Sequence, residues 1–147
     1  MTPGRTDAEA GAIHASLVAW CGHGILIRGE AGAGKTALCV ELMAAGAHLV
    51  ADDLVRLSRR GDALWARASG ATGLIELRGN GIFRVATSSG VRVSLCVELQ
   101  AVSRQDRLPE TNVVCLAEIP LPLLRLPEGG VAGAGSVLLA LYAGRSA

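Results

Sequence analysis

The sequence predicts an α/β fold, and three neighbouring features carry that reading. The apolar run Gly24-Ile25-Leu26-Ile27 has the branched residues of a buried strand. It leads into Gly29-Glu30-Ala31-Gly32-Ala33-Gly34-Lys35-Thr36, which fits the pattern G-x-x-x-x-G-K-[ST]. Residues 36–45 (TALCVELMAA) then form a run of helix formers, with Leu38, Leu42 and Ala45 along one face and Gly46 as a C-terminal stop. Strand, glycine-rich turn and helix in that order describe a phosphate-binding loop and predict a two- or three-layer α/β domain.

Lys35 is the only lysine among 14 basic residues; every other one is arginine. A compact, strongly hydrated ammonium is therefore kept at the one place where a point charge must reach a phosphate. Glycines let successive backbone N–H groups turn inward as an anion-binding nest. The N-terminus of the following helix adds its positive end at the same point. In such a loop the backbone of Gly29, Glu30, Ala31, Gly32, Ala33 and Gly34 wraps the phosphates. Lys35 reaches the β- and γ-phosphates, and the Thr36 hydroxyl ligates Mg²⁺. The sequence thus predicts a protein that binds a nucleoside triphosphate with Mg²⁺.

The other elements follow in chain order. Ile13–Trp20 reads as a strand joined to Gly24–Arg28 by the turn Cys21-Gly22-His23. His48–Ala51 predicts a short strand ending in Asp52-Asp53, and Leu54–Ser58 with Ala63–Ala68 a hairpin about Arg60-Gly61-Asp62. Gly70–Gly73 reads as a loop, and Val91–Leu99 alternates as a strand. Arg104–Thr111 is a polar loop, and Val113–Leu126, interrupted by Pro120 and Pro122, suits an edge strand or extended segment. Ser136–Ala143 reads as a short buried helix. Residues 1–12 are expected to be a short tail and residues 13–147 a single domain, a length that can bury a core.

A net charge of +1 gives no electrostatic footprint for nucleic acid. No apolar run reaches the roughly 18 residues of a membrane span, and Met1–Gly11 lacks the apolar stretch of a secretory signal. Cys21, Cys39, Cys96 and Cys115 are scattered without a C-x-x-C, each among apolar neighbours, and read as reduced core thiols. The expected location is the cytoplasm.

Geometry ties the loop to the acidic pair. A helix of about ten residues runs roughly 15 Å from the phosphates. The following strand, with its connection, returns a similar distance at about 3.3 Å per residue. Asp52 and Asp53 are then expected at the carboxyl end of a parallel strand, beside the loop. A carboxylate there can take a proton from an attacking hydroxyl or hold Mg²⁺; a solvated acidic turn is the plain alternative.

These segments, taken together, resemble the catalytic domain of HPr kinase/phosphorylase. The resemblance spans about Ile13 to Leu108. It rests on Ile13-His14, the loop Gly29–Thr36, Leu49-Val50-Ala51-Asp52-Asp53, Ile75-Glu76-Leu77-Arg78-Gly79-Asn80-Gly81-Ile82 and Asp106-Arg107-Leu108. It implies a P-loop-containing HPr kinase-like fold and an ATP-dependent kinase acting on a serine of an HPr-like phosphocarrier protein of the phosphotransferase system. It also implies a homo-oligomer, a hexamer in the family. Asp52 would be the general base, with Asp53 as second choice for that role or as an aid to the metal. Thr36 and Glu76 would be Mg²⁺ ligands, and His14 would orient or tune Asp52. Lys35 and Arg107 would act on the transferring phosphoryl group, Arg107 by stabilising its charge.

The chain also departs from the family pattern. Thr36 is followed by Ala37 where the family has glutamate, and His14 by alanine rather than glycine. The family's late P-G-R-N segment, tied to the reverse reaction, has no match; Arg125-Leu126-Pro127-Glu128-Gly129-Gly130 stands in its place. The form resembles the short type without a separate N-terminal domain, and the expected phosphorylase activity is weak or lost. Two rivals stand beside the kinase: a non-catalytic ATP-sensing partner protein and a small-molecule P-loop kinase. The strand ahead of the loop strand and the lack of an arginine-rich lid disfavour the latter.

Overall fold

The computed structural model describes residues 8–70, 73–77, 79–101, 112–128 and 133–143. Strand β1 (Ala8–Trp20) turns at Cys21-Gly22 into β2 (His23–Arg28), and the glycine-rich loop follows. Helix α1 (Lys35–Ala44), β3 (His48–Arg60), β4 (Ala63–Ala68) and the short pair β5 (Leu74–Leu77) and β6 (Gly81–Arg84) come next. Then come β7 (Val91–Gln100), β8 (Val113–Leu116), β9 (Ile119–Pro127) and α2 (Gly133–Ala143).

Seven strands form one sheet in the order β2-β1-β3-β4-β7-β9-β8, and a further parallel pairing of β2 with β7 closes the first part of that row into a small barrel. The hairpin β5–β6 is a separate two-stranded sheet. Small residues make the tight closure possible. Ala15, Ala19, Ala51 and Ala66 join Leu17, Leu26, Val55, Leu64 and Val93 in the barrel's buried interior. A second core lies where Val18, Ile25, Ile27, Leu49, Leu95 and Val97 meet Leu38, Cys39 and Leu42 of α1 and Val137 of α2. The alternation along β1, with Ala15 and Leu17 in one core and Val18 in the other, feeds both.

Two hairpins use turn chemistry that suits twisted strands. Cys21 (φ 50°) and Gly22 (φ 80°) join β1 to β2, and Ala117 (φ 50°) and Glu118 (φ 66°) join β8 to β9, both with positive φ at each central residue. Pro120 and Pro122 sit inside β9, which explains itself by direction. The Leu123 N–H points to β8, donating to Asn112 O at 2.7 Å. By alternation the two proline nitrogens face the other way, ahead of the pairing with β7 that begins at Leu123.

Several expectations are corrected here. β1 begins at Ala8, so the end of the expected 1–12 tail is strand. The strand expected to stop at Ala51 continues through Asp52 and Asp53 to Arg60. It runs in the direction of β2 but does not pair with it: β1 stands between β2 and β3, antiparallel to both. On α1 the buried set is Leu38, Cys39 and Leu42, while Ala45 caps the helix in solvent. Cys39 and Cys96 are buried, but Cys21 and Cys115 are exposed, because they fall in a turn and on an outward-facing edge position. No helix is long and apolar enough to cross a membrane among the described residues.

Candidate active site

The loop between β2 and α1 leaves β2 through a tight contact at Gly29. A Cβ on Gly29 would come within 3.1 Å of both Ala33 Cβ and Leu99 Cβ, so a larger residue would have to push these neighbours aside where the chain leaves β2. Gly34 takes a left-handed conformation (φ 104°) as the residue that starts α1, and no side chain caps that end. The first N–H groups of α1 are therefore left for a ligand. Lys35 Nζ donates to Gly29 O at 2.7 Å and to Glu30 O at 3.1 Å, which holds the ammonium across the loop.

Asp52 faces this loop from the middle of β3. The Thr36 hydroxyl lies 3.2 Å from Asp52 Oδ1 and 3.1 Å from Oδ2. Ser16, directly opposite on β1 and only 1% exposed, donates its hydroxyl to Asp52 Oδ1 at 2.8 Å. Cys39 of α1 also neighbours Ser16, and its thiol is pushed up to about 12, by burial first and by the Asp52 charge second, against the opposing effect of its hydrogen bond with Ser16.

Asp53 should point away from Asp52 by strand alternation. Its φ of 108° breaks that alternation, and both carboxylates border one cleft of about 670 Å³. Gly32, Gly34, Lys35 and Thr36 line the cleft from the loop and α1, and Leu74, Glu76, Leu77 and Ile82 line it from the β5–β6 hairpin. The structure thus brings together the loop, Lys35, Thr36, Asp52, Asp53 and Glu76.

His14 is placed differently from its expected role. It lies on β1 two positions before Ser16, and its Nδ1 is 3.8 Å from Asp53 Oδ1, with both side chains more than four-fifths exposed. The residue that contacts Asp52 from β1 is Ser16. Sequence reading missed it; the available signal was a lone hydroxyl in the apolar run Ile13–Trp20, but the strand register was needed to aim it. Arg107, with Asp106 and Leu108, lies outside the described residues. Among the described residues, no three His, Cys, Asp or Glu side chains cluster closely enough to hold a metal alone.

Comparison with known proteins places this arrangement. The model for the HPr Serine kinase C-terminal domain matches residues 6–127, a span that contains every segment that forms the cleft. The chain belongs to the HPr serine kinase C-terminal-domain family. It is 32% identical over 128 residues to HPr kinase/phosphorylase of Chlorobium limicola, a match covering 78% of this chain and 39% of that protein. The enzyme of the same name from Exiguobacterium sp. is 35% identical over 129 residues, covering 79% of this chain and 42% of the relative. The chain therefore spans about two fifths of the length of these curated relatives. The solved structure of the Hpr(Ser) kinase/phosphatase from Coxiella burnetii superposes with a TM-score of 0.70 at 27% identity, covering 79% of this chain and 85% of that one. The mixed α/β fold with its small barrel is the HPr kinase-like fold.

Proposed function

We propose that this chain is an ATP-dependent protein-serine kinase whose substrate is an HPr-like phosphocarrier of the phosphotransferase system. One observation supports this above the others. Thr36, on the first turn of the helix that follows the glycine-rich loop, is hydrogen-bonded to Asp52, so a metal- and phosphate-binding group and a proton acceptor share one cleft. The residues fit ATP and Mg²⁺. The loop N–H groups and Lys35 match a triphosphate. The Thr36 hydroxyl with the Glu76 and Asp53 carboxylates offers few protein ligands, which suits Mg²⁺, an ion that keeps water and phosphate oxygens in its shell. When bound, Mg²⁺ would neutralise charge between the β- and γ-phosphates.

In transfer, the substrate serine oxygen bonds to the γ-phosphorus as the bond to the β–γ bridging oxygen breaks. Asp52 takes the serine proton, and ADP leaves with the bridging oxygen. Lys35 and the loop N–H groups hold the transferring charge, since this chemistry mostly needs alignment and charge neutralisation. Arg107 would add to that stabilisation, and His14, paired with Asp53 at the rim, would act on the second carboxylate rather than on Asp52. Reversal needs phosphate to attack phosphoserine and thus a further anion site. The segment after β9 carries Glu128 there, whose charge disfavours phosphate, so the phosphorylase activity is weak or lost. The exposed Val113 edge of β8 is the surface for assembly into a homo-oligomer, and the working compartment is the cytoplasm.

Labelled ATP, Mg²⁺ and purified HPr test the reading. Phosphoserine on HPr is the expected product, and phosphoserine-HPr incubated with millimolar phosphate should release pyrophosphate far more slowly than the forward rate. ATP binding without any phosphoserine would replace the kinase with a nucleotide sensor.

A further inference from the structure

Asp52 has two carboxylate oxygens, and its surroundings treat them unequally. Oδ1 accepts from Ser16 at 2.8 Å and lies 3.2 Å from the Thr36 hydroxyl. Among the described residues, Oδ2 has a hydrogen bond only to Thr36, at 3.1 Å. Thr36 has one hydroxyl, and a loop threonine of this kind is also needed at the metal. Ser16 carries no such second duty. It is walled in between β2 and β3, opposite Ile27 on one side and Asp52 on the other, and it does not reach solvent.

The direction of the Ser16 hydroxyl is also determined. Its other polar neighbour is the buried Cys39 thiol, a weak acceptor beside a full carboxylate. The serine proton therefore goes to Asp52. A short, charge-assisted bond from a side chain locked in a strand is a rigid support for a reacting group that itself stands in a strand.

We propose that Ser16 is a positioning residue for phosphoryl transfer: its hydroxyl fixes Asp52 Oδ1 and so leaves Oδ2 as the oxygen that accepts the proton of the substrate serine. This rests on the kinase reading above. It assigns to β1 a part in the reaction that neither the loop motif nor the acidic pair discloses, and it makes the β1–β3 register a determinant of turnover.

The test compares Ser16→Ala, Ser16→Thr and Ser16→Cys with the wild type in the same HPr phosphorylation assay, beside ATP affinity by fluorescent-nucleotide titration. Ser16→Ala should lower kcat about ten- to hundred-fold, the scale set by small misplacement of a reacting group. Its ATP affinity and KM for HPr should stay within about two-fold of wild type, since the loop is untouched. Ser16→Thr keeps the hydroxyl and should recover most of kcat. If its extra methyl prevents folding, Ser16→Cys, which is unbranched and keeps a weaker donor, should fall between wild type and Ser16→Ala. Wild-type kcat in Ser16→Ala overturns the proposal, as does a loss shared equally by ATP affinity and kcat. A wild-type chain with no transfer at all overturns the kinase reading first and the role of Ser16 with it.

Discussion

Asp53 shows how one backbone angle can shape a site. A φ of 108° on a residue with a side chain costs on the order of 1–3 kcal/mol, and here it turns a second carboxylate into the cleft. Asp53→Gly should relieve that conformation and raise stability by about 1 kcal/mol in urea unfolding, while weakening Mg²⁺-dependent turnover. Unchanged or lower stability would show that the angle is not strained. Lys35→Ala should remove measurable nucleotide binding, because no other lysine exists to replace it and its two loop carbonyls lose their only donor from this side chain. The thiols give a third check. Cys21 and Cys115 should react with a maleimide in the folded protein at pH 8, while Cys39 and Cys96 stay silent until denaturant is added. Lys35 and Thr36 could be found in the sequence because their spacing is itself the chemical motif, and Asp52 because the helix and strand lengths carry the chain back to the loop. Ser16 could not, because its partner lies 36 residues away and only strand register joins them.

At the scale of elements, α1 carries the site and is fastened at its far end. Ala47 N donates to Leu42 O and Gly46 N to Met43 O, both at 3.0 Å, closing the helix in a Schellman turn with Gly46 at φ 110°. Gly46→Ala should cost about 1–2 kcal/mol of stability, measured by urea denaturation, by forcing a Cβ into the left-handed region. An unchanged midpoint would mean that the turn opens without cost. This helix and its stop were legible in the sequence, since a run of helix formers before a glycine is a local signal. The length of β3 was not. Asp52-Asp53 has the composition of a turn, yet β1 pairs with both residues and carries the strand straight through them.

At the scale of the molecule, closure of the barrel depends on the parallel β2–β7 pairing, between segments about 70 residues apart. No local pattern announces such a pairing, whereas the strand character of each partner was plain from its own residues. The closed barrel and its helices bury two thiols. Burial pushes the Cys39 thiol up to about 12, with the Asp52 charge adding to it. Burial likewise pushes Cys96 up to about 11, with Arg28 opposing and Glu98 adding. The ordinary thiol value is 9.0, so between there and about 11–12 the folded chain holds protons that the unfolded chain has lost. That contribution to stability is complete below about pH 9 and is lost as pH rises through the folded values. The melting temperature should therefore be steady from about pH 7 to 8.5 and fall between about pH 9 and 11, and Cys96→Ala should lessen the fall. An identical alkaline decline in that variant would assign the loss to other groups.

The most direct test of the whole account places Asp52→Asn beside wild type, with ATP binding and phosphoserine formation on HPr measured on the same samples. The amide keeps the shape beside Ser16 and Thr36 but cannot take the proton. ATP affinity should remain close to wild type while transfer falls by about 10²–10⁴-fold. Transfer by Asp52→Asn at the wild-type rate would contradict the account at its centre.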